Sequence, residues 1–322
     1  MGRLLMTAAL LTAGLVHTET QAQGYPDRPI RMIVASAPGG APDILGRAVA
    51  QKMSETLGQQ VVVDNRAGAS GLIGAEMAAK AAPDGHTLFL GTTTLYAILP
   101  NLKKNLPYDI QRDFASITQI AGASNVLVVN PSVPAKSVAE LLQYARAKPG
   151  ALNYASAGRG TPAHLAGEML NVNAGINMTH VPYKGAGPAL IDIIAGQIQL
   201  IITSPIAAGP HITSGKVRAL ATTGAQRNPA LPDLPTIADT VPGYEITQWW
   251  GLSVPAKTPR AIIAKLHAET AKAINLADVR ERITRAGAVP VGGTPQAFDT
   301  FIGAEQQRLG GVIRKAKISL DD

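Results

Sequence analysis

The chain has 322 residues, of which 46% are hydrophobic and 16% are charged, a composition typical of a folded protein and not of a disordered one. Its length exceeds the size at which one hydrophobic core usually keeps growing, so we expect two domains. The net charge of +7 favours anionic partners, but the basic residues are scattered and aromatic residues make up only 4%, which argues against nucleic acid as a partner.

The N-terminus has the pattern of a secretory signal peptide. Arg3 precedes an apolar run over residues 4–16, and the small residues around Ala22 suit cleavage after that position. The apolar run is too short for a transmembrane helix, and the alternative is an uncleaved anchor. The chain has no cysteine, so it carries no disulfide and no lipid-bearing N-terminal cysteine. We therefore expect a free, soluble protein in the periplasm.

The first part of the mature chain alternates strand and helix patterns. Residues 30–35 have the apolar pattern of a buried strand. A helix is predicted next, because apolar residues recur every four positions before Gly58: Leu45, Val49, Met53 and Leu57. The pattern continues with a strand at 61–63, a helix at 72–81, a turn at 83–85 and a strand at 86–90. This βαβαβ order predicts a parallel sheet.

A second α/β unit begins after Asn125. Residues 126–130 resemble a strand, and Ser137 and Glu140 predict a capping box for a helix over 138–147. Further strands are predicted at 152–156, 179–183, 198–203 and 217–222. The chain then closes with a strand around 249–254 and helices near 259–275 and 295–316.

Two loops of this sequence repeat each other. ASAPGGAPDIL at residues 35–45 aligns with ASAGRGTPAHL at residues 155–165, an offset of 120. Each loop follows a predicted strand and ends in a proline close to the start of a helix. Exposed backbone N–H groups at a helix start attract anions, and loops at the carboxyl ends of strands form ligand sites in open α/β sheets. We therefore expect both loops to meet at one anion-binding cleft.

Catalytic and cofactor motifs are missing from these loops. No phosphate-binding motif of the type G-x-x-x-x-G-K-[ST] occurs, and residues 158–163 match a dinucleotide motif but lack the acidic residue that should follow. Ser70 lies in a sequence similar to a nucleophile elbow that lacks its final glycine. The six histidines show no zinc-like spacing. We expect no catalytic residue, no metal and no cofactor.

The order and spacing of several short motifs resemble the Bug family of periplasmic receptors, which is associated with tripartite tricarboxylate transporters. These motifs are YPDRPI at 25–30, PGG at 38–40 followed by Asp43, NRAG at 65–68, APDG at 82–85, LPYD at 106–109, NYAS at 153–156, GTP at 160–162 followed by His164, HVPYKG at 180–185 and LPDLPT at 231–236. The resemblance extends from about Tyr25 to Lys315.

The resemblance implies an α/β, two-lobed periplasmic binding protein fold of type II-like topology, in which each lobe is a mostly parallel sheet flanked by helices. Residues 1–22 are then the signal peptide, 23–123 and 247–322 the first lobe, and 124–246 the second lobe. It also implies a monomer that closes on a small organic anion and delivers it to integral-membrane transporter subunits. The alternatives are a sensor that presents its ligand to a signalling protein, and an enzyme of unrecognised chemistry.

In the resembling family, the two loops grip one carboxylate, partly through ordered water. This assigns ligand contacts to Ser36, Ala37, Pro38, Gly39, Gly40 and Asp43 in the first loop, and to Ser156, Ala157, Gly158, Gly160, Thr161 and His164 in the second. Asp43 has the alternative of pairing with Arg47, and His164 that of a packed or capping residue. Ala41 is a poor N-cap compared with Thr161, which leaves the N–H groups of the first helix freer for a ligand.

Two departures from the family pattern bear on the ligand. An aromatic residue frequent at the position of Ser36 is absent, and an acidic residue common near the end of one strand is replaced by Thr203, followed by Ser204. Hydroxyls for a second polar end are available from Thr92, Thr93, Thr203 and Ser204, although the threonines after the third strand have simple helix capping as an alternative. We expect an organic acid without an ammonium group, a dicarboxylate that is aliphatic or aromatic.

Overall fold

The structure is a computed structural model that describes residues 24–183, 185–229 and 231–319. The predicted signal peptide, residues 1–22, lies outside this range. Among the described residues, no helix is both long and apolar enough to span a membrane.

Strands and helices alternate over most of the described chain. The strands are β1 Ile30–Val34, β2 Val61–Asn65, β3 Thr87–Thr92, β4 Phe114–Ser124, β5 Val126–Val129, β6 Asn153–Ser156, β7 Thr179–Pro182, β8 Leu200–Thr203, β9 Arg218–Thr222, β10 Thr247–Pro255 and β11 Val289–Gly292. The helices are α1 Ala41–Leu57, α2 Leu72–Ala79, α3 Leu99–Leu102, α4 Ile110–Asp113, α5 Val138–Ala147, α6 Pro162–Ala174, α7 Ala186–Ile194, α8 Pro205–Thr213, α9 Arg260–Asn275, α10 Ala277–Arg285 and α11 Pro295–Lys315.

The strands form two mixed sheets. The first has the order β11-β4-β10-β3-β1-β2, in which β1 is parallel to β2 and β3, while β10 and β11 are antiparallel to their neighbours. The second has the order β7-β6-β8-β5-β9, in which β6 is parallel to β7 and β8, while β5 is antiparallel to β8 and β9. The α/β two-lobed fold is thus confirmed, but the sheets are mixed where mostly parallel sheets were predicted.

Antiparallel pairing occurs at the strands that lead into and out of the two chain crossings, β4, β5, β9 and β10, and at β11 on the edge of the first sheet. β4 ends at Ser124 and β5 begins at Val126, so the chain leaves the first sheet and enters the second within two residues. The return crossing runs from the end of β9 to the start of β10. A strand that begins at the edge of the sheet where the chain crosses runs antiparallel to a neighbouring strand that ends at that edge. This explains why the sheets are mixed. This arrangement supports the predicted lobe boundaries, which remain a prediction.

Hydrogen bonds join the two crossings directly. The hydroxyl of Thr223 donates to the carbonyl of Ile246 over 2.6 Å and accepts the backbone N–H of Asn125 over 2.8 Å. The side-chain amide of Gln248 donates to Oδ1 of Asn125 over 3.1 Å. Residues between 23 and 123 positions apart in the chain are therefore held together at the junction of the lobes.

An aromatic cluster lies behind this junction. Trp249 in β10 is stacked on Tyr96, with ring centroids 5.5 Å apart, and its Nε1 donates to Oε2 of Glu305 over 3.1 Å. The hydroxyl of Tyr244 donates to the carbonyl of Ala166 in α6 over 2.9 Å. Burial of these large side chains stabilises the junction through their apolar area, and their polar atoms have partners.

Helix α1 forms as the sequence predicts. Leu45, Val49 and Met53 are fully buried on one face, and Gly58 ends the helix with φ of +69°, the left-handed conformation in which glycine is least strained. Helix α5 also begins as predicted, because the Ser137 hydroxyl accepts the N–H of Glu140. The Glu140 carboxylate, however, accepts the N–H of Lys136, so the reciprocal bond of a capping box is not formed.

Candidate functional site

The register of the sheets places the carboxyl ends of the central strands at the lobe junction. In the first sheet, Thr92 at the end of β3 pairs with Trp250 near the start of β10. In the second, Thr203 at the end of β8 pairs with Val126 at the start of β5. Since β1 is parallel to β3 and β6 is parallel to β8, the loops that follow β1 and β6 leave their sheets at this same edge. This supports the predicted convergence of the two loops.

The first loop connects β1 to α1 and is braced by side chains around it. The side-chain amide of Asn65 donates to the carbonyl of Ser36 over 3.2 Å, and Nη2 of Arg47 donates to Oδ1 of Asn65 over 3.0 Å. Residues at the tip of the loop are exposed to solvent: Ala37, Pro38 and Gly39. The loop is therefore fixed at its base and accessible at its tip.

Asp43 is the central brace of this loop. Its Oδ2 accepts the backbone N–H of Gly39 over 2.8 Å, and its Oδ1 lies 2.9 Å from Nε of Arg47. Burial acts to raise the pKa of Asp43, but hydrogen bonds from Gly39, Arg47 and Asn65 outweigh it, so the pKa lies below its usual value. The ionised carboxylate therefore has its partners within the protein, in agreement with the predicted alternative that Asp43 pairs with Arg47.

The start of α1 differs in detail from the prediction. The N-cap is Gly40, and Ala41 is the first residue of the helix. Gly40 has no side chain to cap the helix, and the Asp43 carboxylate accepts the N–H of Gly39, which precedes the helix. Among the described residues, no side chain therefore caps the N–H groups in the first turn of α1. The N–H groups at this helix start are therefore uncapped, as predicted, but the N-cap position is Gly40 and not Ala41. Gly39, with φ of +80°, is the left-handed glycine of the loop, whereas Gly40 is extended.

The second loop connects β6 to α6 and is more strongly tied by its own side chains. Thr161 is the N-cap of α6: its hydroxyl accepts the N–H of His164 over 3.3 Å and donates to the carbonyl of Gly158 over 2.7 Å. The N–H of Gly160 donates to Nδ1 of His164 over 3.1 Å. Gly158 and Gly160 have positive φ angles of +138° and +72°. Ala157 between β6 and these glycines is exposed.

Three aromatic rings support the second loop from below. His180 in β7 is stacked between His164 and Tyr154, with centroid distances of 4.0 and 4.9 Å. Its Nε2 lies 2.7 Å from the hydroxyl of Ser156, which is fully buried. The hydroxyl of Tyr154 donates to Oε1 of Glu168 over 2.6 Å. We name Tyr154, His180 and His164 the ring column.

Both histidines of the ring column are held neutral. Burial, followed by the positive charge of Arg159, lowers the pKa of His164 to about 4. Burial, followed by His164 and Arg159, lowers the pKa of His180 to about 3. Neutrality fits the hydrogen bond in which Nδ1 of His164 accepts the N–H of Gly160, because an accepting nitrogen must carry a lone pair and no proton.

The four hydroxyls predicted at the far side of the cleft have different environments. Thr93 is buried, and its Oγ1 accepts the N–H of Trp249 over 2.7 Å and donates to its carbonyl over 3.2 Å. Ser204 caps α8 by accepting the N–H of Ala207 over 3.3 Å. Thr92 and Thr203 lie at the ends of β3 and β8, at the lobe junction. Thr203 is buried like Thr93, whereas Thr92 is half-buried, so Thr92 is the more accessible of the three threonines.

Sequence reasoning did not select His180 or Arg159 for the site. His180 begins the HVPYKG motif, but the motif does not reveal its role, because its partner Ser156 is 24 residues away and the two meet only through the parallel pairing of β6 and β7. Arg159 lies in the loop between two glycines that were selected, and its charge is the largest electrostatic influence on His164. A basic residue inside a predicted anion loop is the signal that would have found it.

Comparison with known proteins identifies relatives along almost the whole chain. The family model described as tripartite tricarboxylate transporter family receptor matches residues 45–318. Protein BugT of Bordetella pertussis is 36% identical over 324 residues, which cover 99% of this chain and 99% of BugT.

Solved structures with the same fold include two that hold a carboxylate. Rpa4515 of Rhodopseudomonas palustris, solved with adipate, has 37% identity and a TM-score of 0.83, covering 92% of this chain and 99% of its own. MatC of the same organism, solved with malate, has 32% identity and a TM-score of 0.78, covering 90% of this chain and 100% of its own. The periplasmic binding protein BugD is also similar, with a TM-score of 0.79 and 32% identity.

Proposed function

Because the chain belongs to the tripartite tricarboxylate transporter receptor family, whose members are solute receptors and not enzymes, we propose that it binds a small organic carboxylate between its lobes. The ligand contacts the first loop, Ser36 to Asp43, and the second loop, Ser156 to His164. The observation that carries this assignment is the start of α1, where Gly40 leaves the first turn without a side-chain cap.

Electrostatics favour a carboxylate at this position. Uncapped backbone N–H groups and the positive end of the helix dipole attract an anion, and α1 presents both at the lobe junction. The Asp43 charge is neutralised by Arg47, so it does not oppose an anion nearby. Arg159 in the second loop and the net charge of +7 add to the attraction. An anion therefore finds donors on one lobe and a positive side chain on the other.

The ligand is a dicarboxylate, aliphatic or aromatic, without an ammonium group. In this family, an acidic residue that can pair with an amine is common at the position of Thr203. A hydroxyl cannot neutralise an ammonium ion. Thr92 and Thr203 provide hydroxyls for a second polar end. Ser36 provides room for a longer or flat body. The adipate and malate found in the two similar structures are dicarboxylates, which supports the same class here.

The receptor acts in the periplasm and delivers its ligand to the membrane subunits of a tripartite tricarboxylate transporter, as a monomer. The family description and the periplasmic description of BugD support this role. Closure of the lobes around the ligand would present one continuous surface to the transporter, with the crossings at Asn125 and Ile246 as the hinge.

A thermal-shift panel on the protein recovered from the periplasm of an expression host tests this function. The panel contains succinate, adipate, malate, citrate, terephthalate, benzoate, aspartate and glutamate, with glucose as an uncharged control. A ligand at about a thousand times its Kd adds about 4 kcal/mol to the free energy of unfolding and raises Tm by several degrees. We expect dicarboxylates to do so. A response to the amino acids alone would contradict the role of Thr203, and a response to none of the acids would overturn the function.

A further inference from the structure

The buried hydroxyl of Ser156 has all of its hydrogen-bonding capacity used inside the protein. Its Oγ lies 3.0 Å from the carbonyl of Gly158, accepts the N–H of Gly158 over 3.1 Å and lies 2.7 Å from Nε2 of His180. A hydroxyl has one proton and two lone pairs, so it is saturated when it donates to the Gly158 carbonyl and accepts both the Gly158 N–H and a proton from Nε2 of His180. The Ser156 side chain is therefore an internal brace of the second loop and leaves no capacity for a ligand.

His180 completes this brace. Since the Ser156 proton goes to the Gly158 carbonyl, Nε2 of His180 acts as a donor to the hydroxyl. Without Nε2 the buried hydroxyl loses its strongest contact, and the Gly158 peptide loses its fixed position. The φ of Gly158, +138°, is a conformation that local preference does not enforce, so it depends on such contacts.

The ring column contacts the second loop at two points. Through Ser156, His180 reaches Gly158, and through its stacking on His164 it orients the ring whose Nδ1 accepts the N–H of Gly160. The planes of the two imidazoles are 21° apart and those of His180 and Tyr154 are 28° apart, so the rings lie face to face. The column therefore fixes the peptide groups on both sides of Arg159.

We propose that His180 is a positioning residue for ligand binding, which holds the backbone of Gly158 to Gly160 in its receiving conformation through Ser156 and His164. This inference rests on the proposed function of the two loops. With the glycine N–H groups turned inward to Ser156 and His164, the peptide groups that remain for a ligand in this segment are those of Ala157, Arg159 and Thr161. Their directions are set by the inward bonds, because neighbouring peptide planes share a Cα.

Three variants separate positioning from general stability. His180→Phe keeps a ring in the column but removes the nitrogen, Ser156→Ala removes the hydroxyl, and His180→Gln places an amide near the position of Nε2 and conserves the hydrogen bond. His211→Phe is the matched control, because His211 is a partly buried histidine of the same lobe, in α8 and outside the column.

Adipate affinity by calorimetry and amide hydrogen exchange of Gly158 and Gly160 are measured for each variant. We expect His180→Phe and Ser156→Ala to weaken adipate binding about tenfold or more, the loss that one strong hydrogen bond represents. Exchange of the Gly158 and Gly160 amides should quicken about tenfold in the same variants. His180→Gln should recover most of the affinity, and His211→Phe should match the wild type in both measurements.

The two measurements distinguish failure of this inference from failure of the proposed function. Unchanged exchange and unchanged adipate affinity in His180→Phe would overturn the positioning role, as would equal losses in His180→Phe and His180→Gln. A wild-type protein that binds neither adipate nor any other acid of the panel would overturn the proposed function instead. Hydrogen exchange, which needs no ligand, would then still decide whether His180 holds the loop.

Discussion

The carboxylate of Asp43 accepts the backbone N–H of Gly39 over 2.8 Å, a bond that closes the first loop back onto the helix it precedes. Gly39 is left-handed and exposed, so little else holds the tip of the loop. Arg47 on the next turn of α1 compensates the charge of Asp43. A negative group can therefore shape a loop that we propose to bind an anion without repelling that anion.

Asp43→Ala should weaken adipate binding about tenfold and reduce the free energy of unfolding by about 1–2 kcal/mol, because the Gly39 N–H loses its acceptor. Asp43→Asn should retain most of the affinity, since its amide oxygen still accepts that N–H. Calorimetry and urea unfolding measure the two effects. Glu55→Gln, an exposed change on the same helix, is the control. Equal affinity of Asp43→Ala and wild type would show that the loop does not need this bond.

Substitution of the left-handed glycine should strain the loop, whereas substitution of its neighbour should not. Gly39→Ala forces a side chain into φ of +80°, which costs about 1–2 kcal/mol or changes the loop conformation. Gly40 is extended and a Cβ there meets only ordinary contacts at 3.5 Å or more, so Gly40→Ala should fold without strain and lose less adipate affinity than Gly39→Ala.

Gly58→Ala is a matched control for this strain. Gly58 is also left-handed, with φ of +69°, and a Cβ there has no neighbour within 4 Å, but it ends α1 away from the loop. Gly58→Ala should lower the Tm about as much as Gly39→Ala does, but it should not change the adipate affinity. Affinity losses of the same size in both variants would attribute the effect to global stability.

Acid should destabilise the protein through the ring column. His164 and His180 have pKa values of about 4 and about 3 in the folded state, below the ordinary value of 6.5, so the unfolded chain binds more protons as the pH falls below 6.5. Stability from these groups is complete above that value and falls with acid by about 1.4 kcal/mol per pH unit for each such proton.

Urea unfolding between about pH 7 and about pH 4.5 measures this slope. Carboxylates also contribute in this range, so the comparison with His180→Gln, which has one titrating imidazole fewer, isolates the column. The variant should show a shallower slope by about one proton. Identical slopes would mean that His180 is not held neutral in the folded protein.

The hydroxyl of Thr223 should be important for the lobe junction. Thr223→Val leaves the buried N–H of Asn125 without its acceptor and should reduce the free energy of unfolding by about 1–3 kcal/mol. Thr222→Val is the matched control, because the adjacent Thr222 hydroxyl is buried without a hydrogen-bond partner. That change should be neutral or stabilising. A larger loss in Thr222→Val than in Thr223→Val would contradict the bridging role.

Adipate should make the protein more compact if the lobes close on it. In the proposed function the crossings at Asn125 and Ile246 are the hinge, and closure would reduce the distance between the lobe centres. Small-angle scattering with and without saturating adipate measures the radius of gyration, with glucose as the control solute. The radius should decrease with adipate alone, and an unchanged radius would argue against a site between the lobes.

The features that the sequence by itself determined are those whose causes are local. The spacing of Leu45, Val49 and Met53 predicts α1, Gly58 marks its end, and the repeated loop pattern at an offset of 120 identifies two equivalent strand-to-helix turns. Each of these signals comes from backbone geometry and side-chain periodicity over a few residues, so it is present in the chain before folding.

The tertiary structure alone decided the rest, because the interacting groups are far apart in the chain. Strand β4 was not predicted, because its Ala, Ser, Gly and Thr residues obscure the alternation of apolar and polar positions. It lies between β10 and β11, and its pairing with those two strands makes this segment a strand. Thr93 is predicted as a ligand contact near the strand end, yet the partner that its hydroxyl has in the structure is Trp249, 156 residues away. His180 acquires a role only when β7 pairs with β6 and brings its ring to Ser156. No local preference encodes such a pairing, which forms only when distant apolar faces share one core.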